Sequence, residues 1–150
     1  MSNKESMVFC VVDGGSRNNP GEAGCGCHIR DYPNGKTWKL TKYLGIATSN
    51  EAEYHGMILG LKKLVEIQAQ DVVIYSDSLN MVNQLNGLFR VRAENLRPLC
   101  DICRDLMKRL PKVKIVHKVR ENTKVADKLA NIAINAKSDS VRCYDAWEAA

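Results

Sequence analysis

No apolar run in this 150-residue chain approaches the ~20 residues needed to cross a bilayer. Nor does its opening MSNKES have the basic-then-apolar build of a secretory leader. These absences argue against a membrane span or an exported protein and point to the cytoplasm, with the nucleus or an organelle as alternatives. No internal repeat, low-complexity tract or linker interrupts the chain, so residues 1–150 are expected to form one domain. That length buries roughly two thirds of the unfolded surface without covalent staples. The six cysteines therefore need no disulfide framework. Cys100-x-x-Cys103 has the spacing of half a zinc site, but the second half is missing. Both residues fall on one helical face beside Leu99, Leu106 and Met107, which makes them core packing. Cys25 and Cys27, alternating with glycines in a strand, read the same way.

What is present is ordinary for a globular protein: 45% hydrophobic and 26% charged residues. The net charge of +5 is unevenly distributed. Between Asn86 and Lys128 there are twelve Lys or Arg against five Asp or Glu, an excess larger than that of the whole chain. A basic stretch beside clustered acids suits a polyanion lying over a cation-binding pocket, although a basic surface alone has the same composition.

The stretch Met7 to Asp13, MVFCVVD, reads as a buried strand that ends on a carboxylate at a Gly14-Gly15 turn. A second strand is predicted from Gly24 to Asp31, a hairpin turn at Asn34-Gly35, and a returning strand from Thr37 to Leu44. Gly24 and Gly26 suggest a bulge or a close backbone approach. Thr48-Ser49-Asn50 opens a helix to about Gln68, capped by Ser49 or Asn50. An Asn50-x-x-Glu53 capping box would explain Glu53 without chemistry. The helical wheel argues otherwise, because at about 100° per residue Glu53 shares the face of Met57, Gly60 and Leu64 while Glu51 points to solvent.

DVVIYS, residues 71–76, reads as a parallel strand covered on both faces and ending at Asp77. A short helix from Ser78 to about Leu85 stops at Asn86-Gly87. After a basic link, a helix capped by Asn95 runs until Pro111, followed by a strand from Lys112 to Val119. The last helix begins at Asn122 or Thr123, and its apolar positions Ala126, Leu129, Ala130 and Ala133 put Asp127 at the edge of the buried stripe. Residues 137–150 have no assigned pattern, although Tyr144 and Trp147 are candidates to dock on the body. The order βββαβααβα predicts an α/β fold with a mixed five-stranded sheet, three antiparallel strands followed by parallel ones, flanked by helices.

Four acids converge in this scheme. Asp13 and Asp77 end central strands, while Glu53 and Asp127 lie in the first turns of helices packed on the sheet. Crowded carboxylates either share a proton or bind cations. An all-oxygen set favours magnesium or manganese over zinc, and two such ions ~3.5–4 Å apart can clamp a phosphodiester. The implied chemistry is phosphodiester hydrolysis.

The motifs DGGSRNNPG (13–21), TSNEAEYHGMILGL (48–61), YSDS (75–78) and VADKLAN (125–131) resemble those of type 1 ribonuclease H, in order, over about residues 8–135. The resemblance implies a ribonuclease H-like fold and an endonuclease that cuts the RNA strand of an RNA/DNA hybrid. It implies two Mg2+ ions, with Mn2+ as a substitute, and 5′-phosphate and 3′-hydroxyl products. On this resemblance Asp13, Glu53, Asp77 and Asp127 are the metal-binding and catalytic tetrad. Ser16, Asn19, Thr48, Ser49 and Asn50 fall at substrate-contacting positions, Asn19 and Asn50 towards the minor groove and Thr48 towards a DNA-strand phosphate. Ser49 stands where a second asparagine is common, Glu51 where many members carry a phosphate-binding arginine, and Leu79 where a glutamine often reads the groove. His117, ten residues before Asp127, stands where members can carry a histidine that helps activate water or release product. The link around Arg90 and Arg92 is short where some members insert a basic protrusion, so this chain resembles the form without one, and these arginines become candidates for backbone contacts. A monomer is expected. Three rivals are a hybrid-binding module without cleavage, another nuclease such as a 3′–5′ exonuclease or junction resolvase, and a structural cation site. The exonucleases typically begin with Asp-x-Glu, whereas here Asp13 precedes two glycines.

Overall fold

Met7–Ser16 (β1) alternates buried and half-buried side chains along its first half, as a strand with neighbours on both edges must. It pairs antiparallel with Gly21–Tyr32 (β2) from Met7 opposite Tyr32 to Ser16 opposite Ala23, and parallel with Asp71–Ser76 (β4) from Met7 opposite Asp71 to Val11 opposite Tyr75. Lys36–Ala47 (β3) continues the antiparallel side, and Lys112–His117 (β5) the parallel side. These five strands, in the order β3-β2-β1-β4-β5, form the predicted mixed sheet. The computed structural model describes residues 7–32, 34–118, 124–137 and 140–145, with the backbone alone at 124 and 140–145.

The helices are Ser49–Glu66 (α1), Leu79–Leu85 (α2), Arg97–Lys108 (α3) and Lys124–Ala136 (α4). Helix α1 covers one sheet face through Met57, Leu61 and Leu64, all fully buried, against Cys10, Val12 and Cys27. Each such side chain contributes roughly 1.5–3 kcal/mol on burial. Helix α4 covers the other face, where a Cβ on Gly26 would lie 2.6 Å from the Leu129 Cβ and 2.7 Å from the Ala126 carbonyl oxygen. Close approach on that face therefore requires glycine. The bulge expected near Gly24 is present as a register shift between Ala23 and Gly24. The hairpin turn is also present, with Gly35 at φ 79° donating to the Asp31 carbonyl.

Several boundaries differ from expectation. Gly14-Gly15 is not a turn: β1 runs through both to Ser16, and a Cβ on Gly14 would collide with the Ala52 carbonyl of α1. The chain reverses at 17–20 instead, with Asn18 at φ 67° and a cis Asn19–Pro20 bond. Strands β2 and β3 are both longer than predicted. Helix α1 is capped by Thr48 rather than Ser49 or Asn50, and it ends at Glu66. Helix α3 has Leu96 at its N-cap with no side-chain capping bond, so Asn95 does not cap it. Strand β5 ends at His117, before the predicted Val119, and Lys118 is already outside it; the predicted starts of the last helix, Asn122 and Thr123, lie outside the described residues.

The stretch left without a pattern supplies a sixth strand. Ser140–Asp145 (β6) pairs antiparallel with β3, from Lys36 opposite Asp145 to Thr41 opposite Ser140. Tyr144 thus docks through its backbone opposite Thr37, while Trp147 lies outside the described residues.

Candidate active site

Asp13 sits where β1 passes beneath the start of α1 and is only 4% exposed. Glu53 reaches the same point from the first turns of α1, and Asp77 follows the last residue of β4. One ligand oxygen from each of the three lies within 4.8 Å of the others. The Gly14 N–H donates to both Asp13 Oδ1 (2.9 Å) and Glu53 Oε1 (3.0 Å), so one backbone donor holds two carboxylates together. The turn carrying Asp77 is held by fully buried Ser76, whose Oγ accepts from the Ser78 N–H at 3.0 Å. The Ser78 hydroxyl then caps α2 by accepting from the Met81 N–H.

Burial is the main cause that raises the Asp13 carboxyl, to about 7, with the Asp77 charge adding to it. Burial raises Glu53 to about 9, followed by the charges of Asp13 and Asp77. Asp127, in the first turn of α4, is outside the group of three, yet its charge also raises Asp13. The structure therefore gathers three of the four predicted acids and leaves the fourth as a neighbouring charge. Three hard oxygen donors whose ionisation is mutually opposed suit a divalent cation, which would relieve that repulsion. The residues fit such an ion. Cys10, Cys25, Cys27, Cys100 and Cys103 are all buried in the core, the last four as their patterning predicts.

Ser16, Asn19 and Thr48, among the expected substrate-contacting residues, are held by hydrogen bonds where the ends of β1 and β3, the 17–20 loop and the start of α1 meet. The Ser16 hydroxyl donates to the Ala47 carbonyl at 2.7 Å, fastening the ends of β1 and β3. Asn19 Oδ1 accepts from the Ser49 N–H at 2.8 Å, which ties the 17–20 loop to the start of α1 and leaves the amide nitrogen as the group that can donate outward. Thr48 Oγ1 accepts from the Glu51 N–H, and the Glu51 carboxylate accepts from the Thr48 N–H at 2.8 Å. This is the capping box that the sequence suggested for Asn50 and Glu53, shifted by two residues. Asn50 is exposed and lines a small cavity with Glu53, Ser78, Asn80 and Gln84. His117 is exposed at the end of β5, opposite Ser76 and so at the same sheet end as Asp77. Arg90 and Arg92 line a different cavity, which they share with Arg97 and Arg104.

Sequence reasoning missed two features. The Gly14 N–H, bridging two carboxylates, was hidden because its glycine read as a turn. The Tyr54 hydroxyl donates to Gln84 Oε1, and Gln84 supplies the carbonyl that accepts from Arg104. The residue after Glu53, fully buried, is thereby linked to the arginine-lined cavity.

A mixed sheet in the order β3-β2-β1-β4-β5, with acids gathered at one end of its central strands, defines a ribonuclease H-like domain. Residues 11–133 match the family described as reverse transcriptase-like, and the chain belongs to that family. It is 33% identical over 134 residues to bifunctional protein Rv2228c of Mycobacterium tuberculosis, covering 89% of this chain and 37% of that protein. The chain thus spans little more than a third of the first curated relatives it matches. The N-terminal RNase H domain of the same protein superposes with a TM-score of 0.82 at 32% identity, over 87% of this chain and 94% of that one. Ribonuclease HI of Halobacterium salinarum is 30% identical over 85% of this chain and 64% of its own length. Its crystal structure gives a TM-score of 0.82, covering 87% of this chain and 98% of that one. LC11-RNase H1, solved in complex with an RNA/DNA hybrid, gives 0.80 at 32% identity, over 87% of this chain and 98% of that one.

Proposed function

We propose that this domain, acting as a single unit over residues 1–150, hydrolyses the RNA strand of RNA/DNA hybrids endonucleolytically with two magnesium ions, leaving 5′-phosphate and 3′-hydroxyl ends. The observation that carries this reading is the convergence of Asp13, Glu53 and Asp77 within 4.8 Å. Likeness to ribonucleases H at 30–33% identity, one of them solved with a hybrid, supports the substrate class.

Asp13, Glu53, Asp77 and Asp127 would hold the ions. Divalent cations bound there supply Lewis acidity, making water a better nucleophile and stabilising the leaving oxygen. Gly14, through its N–H, keeps Asp13 and Glu53 aimed at one point. Asn19 and Asn50, with Ser16 and Ser49 beside them, present polar groups to the minor groove, where the 2′-hydroxyl distinguishes RNA from DNA. Thr48 faces a DNA-strand phosphate, and Arg90 and Arg92 add charge for backbone contacts. His117 is placed to exchange a proton with water or product. Its strand position beside Ser76 supports this role.

The test is cleavage of an end-labelled hybrid in magnesium, then manganese, beside single-stranded RNA, double-stranded RNA and DNA duplex. Internal cuts confined to hybrid RNA, and lost in Asp77→Asn, are expected. Hybrid binding without cuts in either metal would make the domain a binding module. Cysteines buried in the core without disulfides suit a reducing compartment, which supports a cytoplasmic location, testable by cell fractionation. Light scattering tests the monomer, whose mass is 16.8 kDa.

A further inference from the structure

The basic link forms more than a charged surface. Residues 87–92 and the start of α3 line an open cleft of about 680 Å3, within the range of roughly 300–1,000 Å3 that holds a small organic ligand. Four guanidiniums line it, from Arg90, Arg92, Arg97 and Arg104, against one carboxylate, Asp101. Two of the four are oriented in advance. Arg97 Nε donates to the Val91 carbonyl at 3.2 Å, and an Arg104 terminal nitrogen donates to the Gln84 carbonyl at 2.9 Å. The same cavity has an apolar wall, with Phe89 48% and Leu88 72% exposed.

A duplex cannot satisfy both surfaces. Its backbone offers phosphate and sugar on a convex ridge, while its bases are stacked inside. An unpaired nucleotide offers a phosphate for arginine and a flat face for an aromatic ring. The cavity is connected to the acids through one residue, since Gln84 accepts from Arg104 through its carbonyl and lines the small cavity shared with Glu53 and Asn50.

We propose that this cavity takes an unpaired nucleotide where the hybrid passes into single strand, its phosphate among the guanidiniums and its base against Phe89. The domain then prefers hybrids that end in, or are flanked by, single-stranded nucleic acid. This rests on hybrid recognition as proposed above.

The experiment is fluorescence anisotropy in the presence of a chelator, comparing a blunt RNA/DNA hybrid with the same hybrid extended by a single strand at each of its four ends. An extension at one end is expected to tighten binding by roughly fivefold or more. Phe89→Ala should bring the ratio of extended to blunt affinity close to one, and Phe89→Tyr should keep it. Equal binding of the blunt and all extended hybrids, or a ratio unchanged in Phe89→Ala, overturns the proposal and leaves the cavity to an acidic peptide. Magnesium-dependent cutting of the blunt hybrid is measured alongside. Its absence counts against the nuclease reading alone, because the affinity ratio is read without metal.

Discussion

Two glutamates stand two residues apart at the start of α1, and their surroundings drive them in opposite directions. Glu51 accepts from the Thr48 N–H, closes the capping box and is further bonded by Asn95, so its carboxyl is held below the usual range. Glu53 is turned to the sheet, where burial and the charges of Asp13 and Asp77 raise it. One acid stabilises the helix end through backbone donors and the helix dipole. The other costs stability in the metal-free fold, and a carboxylate kept at such a cost points to a cation. The difference is a rotation of about 200° around one helix.

Breaking Glu53 should have the largest effect. Glu53→Gln keeps the shape and the acceptor oxygen for Gly14 but removes a charge from the ion site. Hybrid cleavage in magnesium should fall by roughly a hundredfold or more, measured as kcat/KM. Retention of wild-type rates would remove Glu53 from the catalytic group.

The same substitution should act in the opposite direction on the metal-free fold. Glu53 and Asp13 have raised folded-state pKa values, so the native state binds more protons than the unfolded chain between about pH 4 and the shifted values of about 9 and about 7. Stability of the wild type in chelator should therefore fall as pH rises through that window. Glu53→Gln and Asp13→Asn should each be more stable than wild type at pH 8, by on the order of 1 kcal/mol, with the advantage shrinking towards pH 4. Urea denaturation at a series of pH values checks this. Adding magnesium should raise the wild-type midpoint more than that of either variant.

The inward aim of Glu53 was legible because a wheel of one period per 3.6 residues places it with Met57, Gly60 and Leu64. The three-plus-two strand order was legible for a similar reason: β1 and β4 are apolar runs, and the hairpin carries Asn-Gly. The identity of the cap was not, since Thr48, Ser49 and Asn50 are all good capping residues and only backbone geometry selects among them. Gly14 was misread because glycine at a turn and glycine under a close helix look alike in one dimension. Strand β6 escaped notice because SVRCYD, at the edge of the sheet, is too short an alternation to leave a strong pattern. The gathering of Asp13, Glu53 and Asp77 followed from strand ends and helix faces. The more distant place of Asp127 depends on how α4 lies across β2, which glycine contacts determine.

Glu51 sharpens the comparison from its other side. Glu51→Ala removes one half of the capping box and the Asn95 bond, so it should destabilise the fold by about 1 kcal/mol while leaving cleavage close to wild type.

Glu51→Arg should destabilise by a similar amount, since arginine cannot accept from the Thr48 N–H, but it also converts a negative charge beside Thr48 to a positive one. If a DNA-strand phosphate passes Thr48, hybrid affinity should rise a fewfold at low salt, and the slope of log affinity against log salt should steepen by about 1. Anisotropy titrations over a salt series measure both. Stability and affinity then move in opposite directions, which separates a phosphate contact from a general effect on folding. An unchanged slope would mean that the strand does not pass Thr48 and that its backbone is held elsewhere, with the arginines after α2 the nearest concentration of positive charge along the link.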